Sequence, residues 1–86
     1  MDLQSAYQKA ISFAANKHAG QTITGTPLPY LVHVCNVAME ILIASQHSLD
    51  FNVTSAVQVA LLHDTIEDTN TSYEELSKAF GEDIAA

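Results

Sequence analysis

The sequence predicts an all-α fold, and three observations carry that expectation. Apolar residues recur at three- and four-residue steps in the long segments. No segment alternates polar and apolar residues as a half-buried strand would, and the turn-forming residues gather in one stretch between Gly20 and Tyr30. At 86 residues, 48% hydrophobic and 15% charged, the chain is a single small domain with too much apolar material for a disordered segment and too little length for a second core.

The first helix is expected from Leu3 to His18, with Leu3, Ala6, Tyr7, Ala10, Ile11, Phe13 and Ala14 inward, Asp2 as its N-cap and Gly20 as its stop. GQTITGTPLPY, from Gly20 to Tyr30, interrupts helix with glycine, proline and threonine and reads as a structured loop. A second helix starts just after Pro29, buries Val34, Val37, Ala38, Ile41 and Leu42, and gives out in the polar run Ser45 to Asn52. Asn52 or Thr54 caps a third, whose Ala56, Val57, Val59, Ala60, Leu61 and Leu62 leave almost no polar face and make it the central helix. Thr71 to Glu74 reads as a capping box, with the Thr71 hydroxyl accepting from the Glu74 amide. The fourth helix follows, with Leu76, Ala79 and Phe80 inward and Gly81 ending it, and Glu82 to Ala86 opens a further helical stub.

Three Lys and no Arg stand against ten Asp and Glu, a net charge of −7 that repels polyanions and argues against nucleic acid as a partner. The one cysteine, Cys35, cannot close an internal disulfide and reads as a small core filler. Met1 to Ala15 lacks the pattern of a signal peptide, and the longest apolar run, Ile41 to Ala44, is far short of the ~20 residues of a membrane helix, so a cytoplasmic chain without a membrane partner is expected.

The chemistry gathers around His63 and Asp64, which follow the apolar run VALL at the inner end of a buried helix. An imidazole and a carboxylate suit a divalent ion such as Mn, Fe or Zn, and burying both without a metal or partner is costly. His33, set among Leu31, Val32 and Val34, offers a third ligand from a second helix. Glu67 and Asp68 fall on the next turn, where a carboxylate can orient or deprotonate a water, although the pair also reads as a solvated loop. The paired histidines of a zincin helix are missing, which excludes a metalloprotease of that kind. His47 is expected in an exposed loop, and His18 to satisfy the carbonyls at the first helix's end.

KHAGQ (Lys17 to Gln21), PYLVH (Pro29 to His33), LLHDTIEDT (Leu61 to Thr69) and FGEDIA (Phe80 to Ala85) resemble, in order and spacing, the hydrolase domain of Rel/Spo-type alarmone enzymes. These form a branch of the HD-domain metal-dependent phosphohydrolases. The resemblance implies an HD-domain helical fold and a manganese-dependent hydrolase that removes the 3′-pyrophosphate from guanosine tetra- and pentaphosphate. It also implies metal ligation by His33, His63 and Asp64 and a catalytic acidic pair in Glu67 and Asp68.

Two departures bear on that picture. Basic residues usual in the family just after GQ are replaced by Thr22, Ile23 and Thr24, which leaves Gln21, Thr22, Thr24 and Tyr30 as candidate substrate contacts. The family's fourth metal ligand, an Asp on a helix downstream of Phe80-Gly81, falls beyond Ala86. The expectation is therefore the four-helix N-terminal portion of the domain without its C-terminal helices, with a three-ligand site that turns over poorly by itself. Homo-oligomerisation is expected through Phe80, Ile84 and the outer face of the third helix. Two alternatives stay open: a non-catalytic helical module that survives through such self-association, and an HD phosphohydrolase of another nucleotide.

Overall fold

The computed structural model describes residues 2–47 and 52–85. Its helical segments are α1 (Leu3–Lys17), α2 (Leu31–Ser45), α3 (Val53–Leu62), α4 (Thr65–Asp68), α5 (Tyr73–Phe80) and α6 (Glu82–Ala85). Among the described residues the only extended pairing is an isolated antiparallel bridge between Thr22 and Pro29. Met1, Ala86 and the middle of the Ser45 to Asn52 run, residues 48–51, lie outside the described residues.

Two of the expected caps are present because a cap is a local device. The Asp2 carboxylate accepts from the Ser5 amide at 2.7 Å, and the Asn52 side-chain oxygen accepts from the Ser55 amide at 3.1 Å. The cap of α5 differs by one residue. Thr71 is buried and its hydroxyl pairs with that of Thr69 at 2.7 Å, so Ser72 caps instead, accepting from the Glu75 amide at 3.0 Å. Gly81, at φ 92°, ends α5 in a conformation that side-chain-bearing residues rarely adopt.

The core forms where α3 lies between α1 and α2. Ala6, Ala10 and Ala14 recur every four residues on α1 with no exposed surface, and their small side chains let α3 come close enough for Gln58 Nε2 to donate to the Ala6 carbonyl at 3.1 Å. Val57, Leu61 and Leu62 of α3 pack with Val34 and Ala38 of α2 and Leu76 of α5 in one cluster. The central position of α3 is incomplete, however, because Val59 stays 42% exposed beside a groove of about 610 Å³ lined also by Val37, Ile41 and Ala56.

Two lysines fasten α1 to α5. Lys17 pairs with Glu75 at 2.6 Å, while Lys9 donates to the Ala79 carbonyl and lies 4.7 Å from the centre of the Phe80 ring. Phe80 meets Phe13 edge to face at 5.3 Å. None of the helices among the described residues is long and apolar enough to cross a membrane.

Candidate metal centre

The backbone of α3 stays helical through His63 (φ −62°, ψ −27°) and Asp64 (φ −93°, ψ −2°), then re-enters a helix as α4. The reading of Glu67 and Asp68 as a loop is corrected here: both are exposed, but they sit on this single helical turn. Three threonine hydroxyls close it. Thr65, fully buried, donates to the Leu62 carbonyl at 2.7 Å; Thr69 donates to the Thr65 carbonyl; Thr71 pairs with Thr69. The Asp68 amide returns to the Asp64 carbonyl at 2.9 Å, which sets the two aspartates one turn apart on the same side.

His63 Nδ1 lies 2.9 Å from the Ala60 carbonyl, which can only accept, so Nδ1 carries the proton and the lone pair of the neutral ring is on Nε2. That nitrogen lies 3.2 Å from Asp64 Oδ1. His33, near the start of α2, brings its Nε2 to 3.8 Å from Asp64 Oδ2. The two imidazoles are nearly half exposed, at 45% and 44%, whereas the Asp64 side chain between them is at 16%.

An imidazole lone pair facing a carboxylate oxygen is repulsive unless a cation or proton lies between them. Atoms bound to one ion at ~2.0–2.2 Å stand about 3 to 3.5 Å apart, which is the His63 to Asp64 spacing, with His33 slightly outside it. Among the described residues no group of three His, Cys, Asp or Glu side chains has closed to metal-holding geometry. In donor chemistry, two imidazoles and a carboxylate fit a divalent transition ion.

Tyr30 joins this corner to the acidic turn. Its hydroxyl donates to Asp64 Oδ2 at 2.6 Å and reaches Asp68 Oδ2 at 3.3 Å. The bond to Asp64, then burial, then the charges of both aspartates push the phenol far above its ordinary pKa, so the group remains a donor. Its amide donates to the Gln21 carbonyl at 2.8 Å and the Ile23 amide to the Leu28 carbonyl at 2.9 Å, folding the Gly20 to Tyr30 loop back on itself beside His33.

The remaining candidates divide. His18 does not serve the helix end with its ring: the helix carbonyl of Ala14 is met by the His18 amide, and the ring is buried, with Nδ1 2.7 Å from Gln21 Oε1. It lies against Tyr30, ring centres 4.7 Å apart and tilted by 31°. Gln21 is thereby engaged in the scaffold, while Thr22 and Thr24 are exposed in the loop. Cys35 is half-buried on α2, and His47 is exposed after α2. Sequence reasoning missed the threonine chain and the bridging role of Tyr30; the signal for the latter was its place three residues before His33.

Comparison with known proteins places these residues in a family context. The HD-domain family model matches residues 10–86. The chain is 42% identical, over 91% of its length, to the guanosine-3′,5′-bis(diphosphate) 3′-pyrophosphohydrolase of Aquifex aeolicus, covering 10% of that protein. It is 40% identical, over 88% of its length, to guanosine-3′,5′-bis(diphosphate) 3′-pyrophosphohydrolase MESH1 of Xenopus tropicalis, covering 41% of it. To the bifunctional (p)ppGpp synthase/hydrolase SpoT of Escherichia coli it is 36% identical over 91% of its length, again covering 10%. The chain thus spans between a tenth and about two fifths of these relatives.

Proposed function

The chain belongs to the HD-domain family, and from that premise we propose that it carries the metal-binding and catalytic corner of a guanosine-3′,5′-bis(diphosphate) 3′-pyrophosphohydrolase. The observation that carries the reading is the approach of His33 and His63 to Asp64, with Asp68 tied to the same carboxylate through Tyr30. The relatives' shared activity supports it.

His33 and His63 would hold the ion through Nε2 and Asp64 through its carboxylate. A divalent ion there, manganese in this reading, would supply Lewis acidity and make a water more acidic. Asp68 or Glu67 accepts a proton from the attacking water, whose oxygen bonds to the phosphorus next to the ribose O3′. The bond from that phosphorus to O3′ breaks, pyrophosphate departs, and the protonated carboxyl returns its proton to O3′. His63 is kept in the ligating tautomer by the Ala60 carbonyl. Turnover is slow, because Lys9 and Lys17 are committed to α5 and leave little positive charge for a polyanionic substrate.

The test is Mn(II) titration of the chain alongside pyrophosphate release from guanosine tetraphosphate. One ion per chain, lost in His63→Ala, together with slow release lost in the double variant Glu67→Gln/Asp68→Asn, is expected; no Mn(II) binding overturns the reading. Phe80 and Ile84, expected to form a contact between copies, pack against the core instead; the groove between α2 and α3, lined by Val37, Ile41 and Val59, supports homo-oligomerisation through the outer face of α3 as a second element. A monomer by light scattering at high concentration overturns that part, and a metal-free dimer supports the non-catalytic module instead. With Cys35 as its single thiol, a reducing cytoplasmic setting fits the chain.

A further inference from the structure

KHAGQ holds none of the residues assigned to the metal, and PYLVH holds only His33, which leaves His18, Gln21 and Tyr30 to be accounted for. The structure gives them one physical task. His18 is 3% exposed and held by Gln21. Its ring forms one wall for Tyr30, and His33 lies on Tyr30 as well, with ring centres 5.4 Å apart. Tyr30 is confined further by its amide bond to Gln21 and by its position as the N-cap of α2. The phenol is therefore held at ring, backbone and hydroxyl, and the hydroxyl is the group that touches both Asp64 and Asp68.

We propose that Tyr30 is the positioning residue of the metal centre, its hydroxyl setting the orientation of the Asp64 carboxylate and the distance from Asp64 to Asp68, with His18 and Gln21 as its buttress. The inference rests on the metal-centre reading above. A carboxylate on a side chain that is otherwise free to rotate presents either oxygen in several directions. The bond to Oδ2 leaves Oδ1, the atom 3.2 Å from His63 Nε2, as the oxygen turned toward His63, while Oδ2 keeps its place 3.8 Å from His33 Nε2. The single phenol proton, given to Asp64, is shared at longer range with Asp68, which offsets part of the mutual repulsion of the two anions. The link spans 34 residues of sequence, so it also ties the entry of α2 to the end of α3.

Tyr30→Phe tests this, because it deletes the hydroxyl and keeps the ring between His18 and His33. Mn(II) affinity is measured by calorimetry on wild type, Tyr30→Phe and His33→Ala, with metal-free melting temperatures measured in parallel. The expected result is binding weakened by about 10- to 100-fold in Tyr30→Phe, with its metal-free melting temperature close to wild type, and binding lost in His33→Ala. Wild-type affinity in Tyr30→Phe, with binding lost in His33→Ala, overturns the positioning role alone. Binding unaffected by His33→Ala overturns the metal-centre reading and this inference with it. A weakened affinity matched by an equal loss of metal-free stability assigns Tyr30 to the scaffold, which also overturns the proposal.

Discussion

The turn from His63 to Thr71 and the loop from Gly20 to Pro29 flank the same corner, yet they are built in opposite ways. In the turn, Thr65 and Thr71 are buried and three hydroxyls bond inward, so the backbone under Asp64 and Asp68 has little freedom. In the loop, Thr22 and residues 24–29 are exposed, and a few backbone bonds hold its shape together with the Thr26 hydroxyl, which donates to the Ile23 carbonyl and accepts from the Leu28 amide. On the proposed function, the difference separates two requirements: ion-binding and proton-handling groups need fixed geometry, whereas a surface that meets a substrate can vary on an exposed loop without disturbing the core.

The contrast is sharpest at the proposed ligands. His63→Ala is expected to weaken Mn(II) binding by more than about 100-fold, since losing even an outer partner of a ligand costs about 10- to 100-fold. Calorimetry checks it. A change of less than about tenfold would place the ion elsewhere and remove the functional half of the comparison.

Next in size is the stability of the turn itself. Thr65→Val keeps the shape of the side chain but leaves the Leu62 carbonyl without its 2.7 Å partner in a site with no exposed surface. The expected loss is about 1–3 kcal/mol, read as a melting temperature lower by roughly 4–8 °C per kcal/mol for a domain of this size. Thermal melting monitored by circular dichroism decides, and an unchanged melting temperature would falsify the claim that the turn is locked by its threonines.

A smaller effect is expected at the loop's tip. Gly25 adopts φ +81°, and a Cβ placed there meets no atom within 4 Å. Gly25→Ala therefore tests backbone strain without a clash, at about 1 kcal/mol. Stability should fall by that amount while Mn(II) affinity stays within about twofold of wild type, as a loop kept apart from the ligands requires. A loss of metal affinity would mean that strain at the tip reaches Tyr30, and the two regions would then be one unit.

What could be read in the sequence follows the range of the forces involved. The helices that start at Asp2 and Asn52 were legible because a cap and a periodic stripe involve residues three or four apart. The cap of α5 was displaced because Thr71 was drawn to Thr69, a competition that the S/T-x-x-E pattern does not reveal. The single turn α4 is too short to display a period. His18 was misread because its partner Tyr30 is brought to it by the folding of the loop. His33, His63 and Asp64 were singled out by residue type and by resemblance, but the hydroxyl that bridges Asp64 and Asp68 depends on a 34-residue separation.

The smallest expected effect is the one that tests what the open loop is for. Thr24 is exposed, so Thr24→Lys should change stability by no more than about 0.5 kcal/mol, the usual range for surface substitutions. It adds one positive charge to a chain of net charge −7 whose Lys9 and Lys17 are occupied with α5. A unit charge about 8 Å from one phosphate charge in water gains about 0.5 kcal/mol, or roughly a two- to threefold lower KM for guanosine tetraphosphate, with kcat nearly unchanged because the ligands and Asp68 are untouched. The gain should shrink as ionic strength rises, since the screening length at 0.15 M salt is about 8 Å. A lower KM that disappears in salt supports a loop that faces the substrate. An unchanged KM at low salt means that the loop lies outside the substrate's reach, and its contrast with the threonine-locked turn would then reflect only the difference between surface and core.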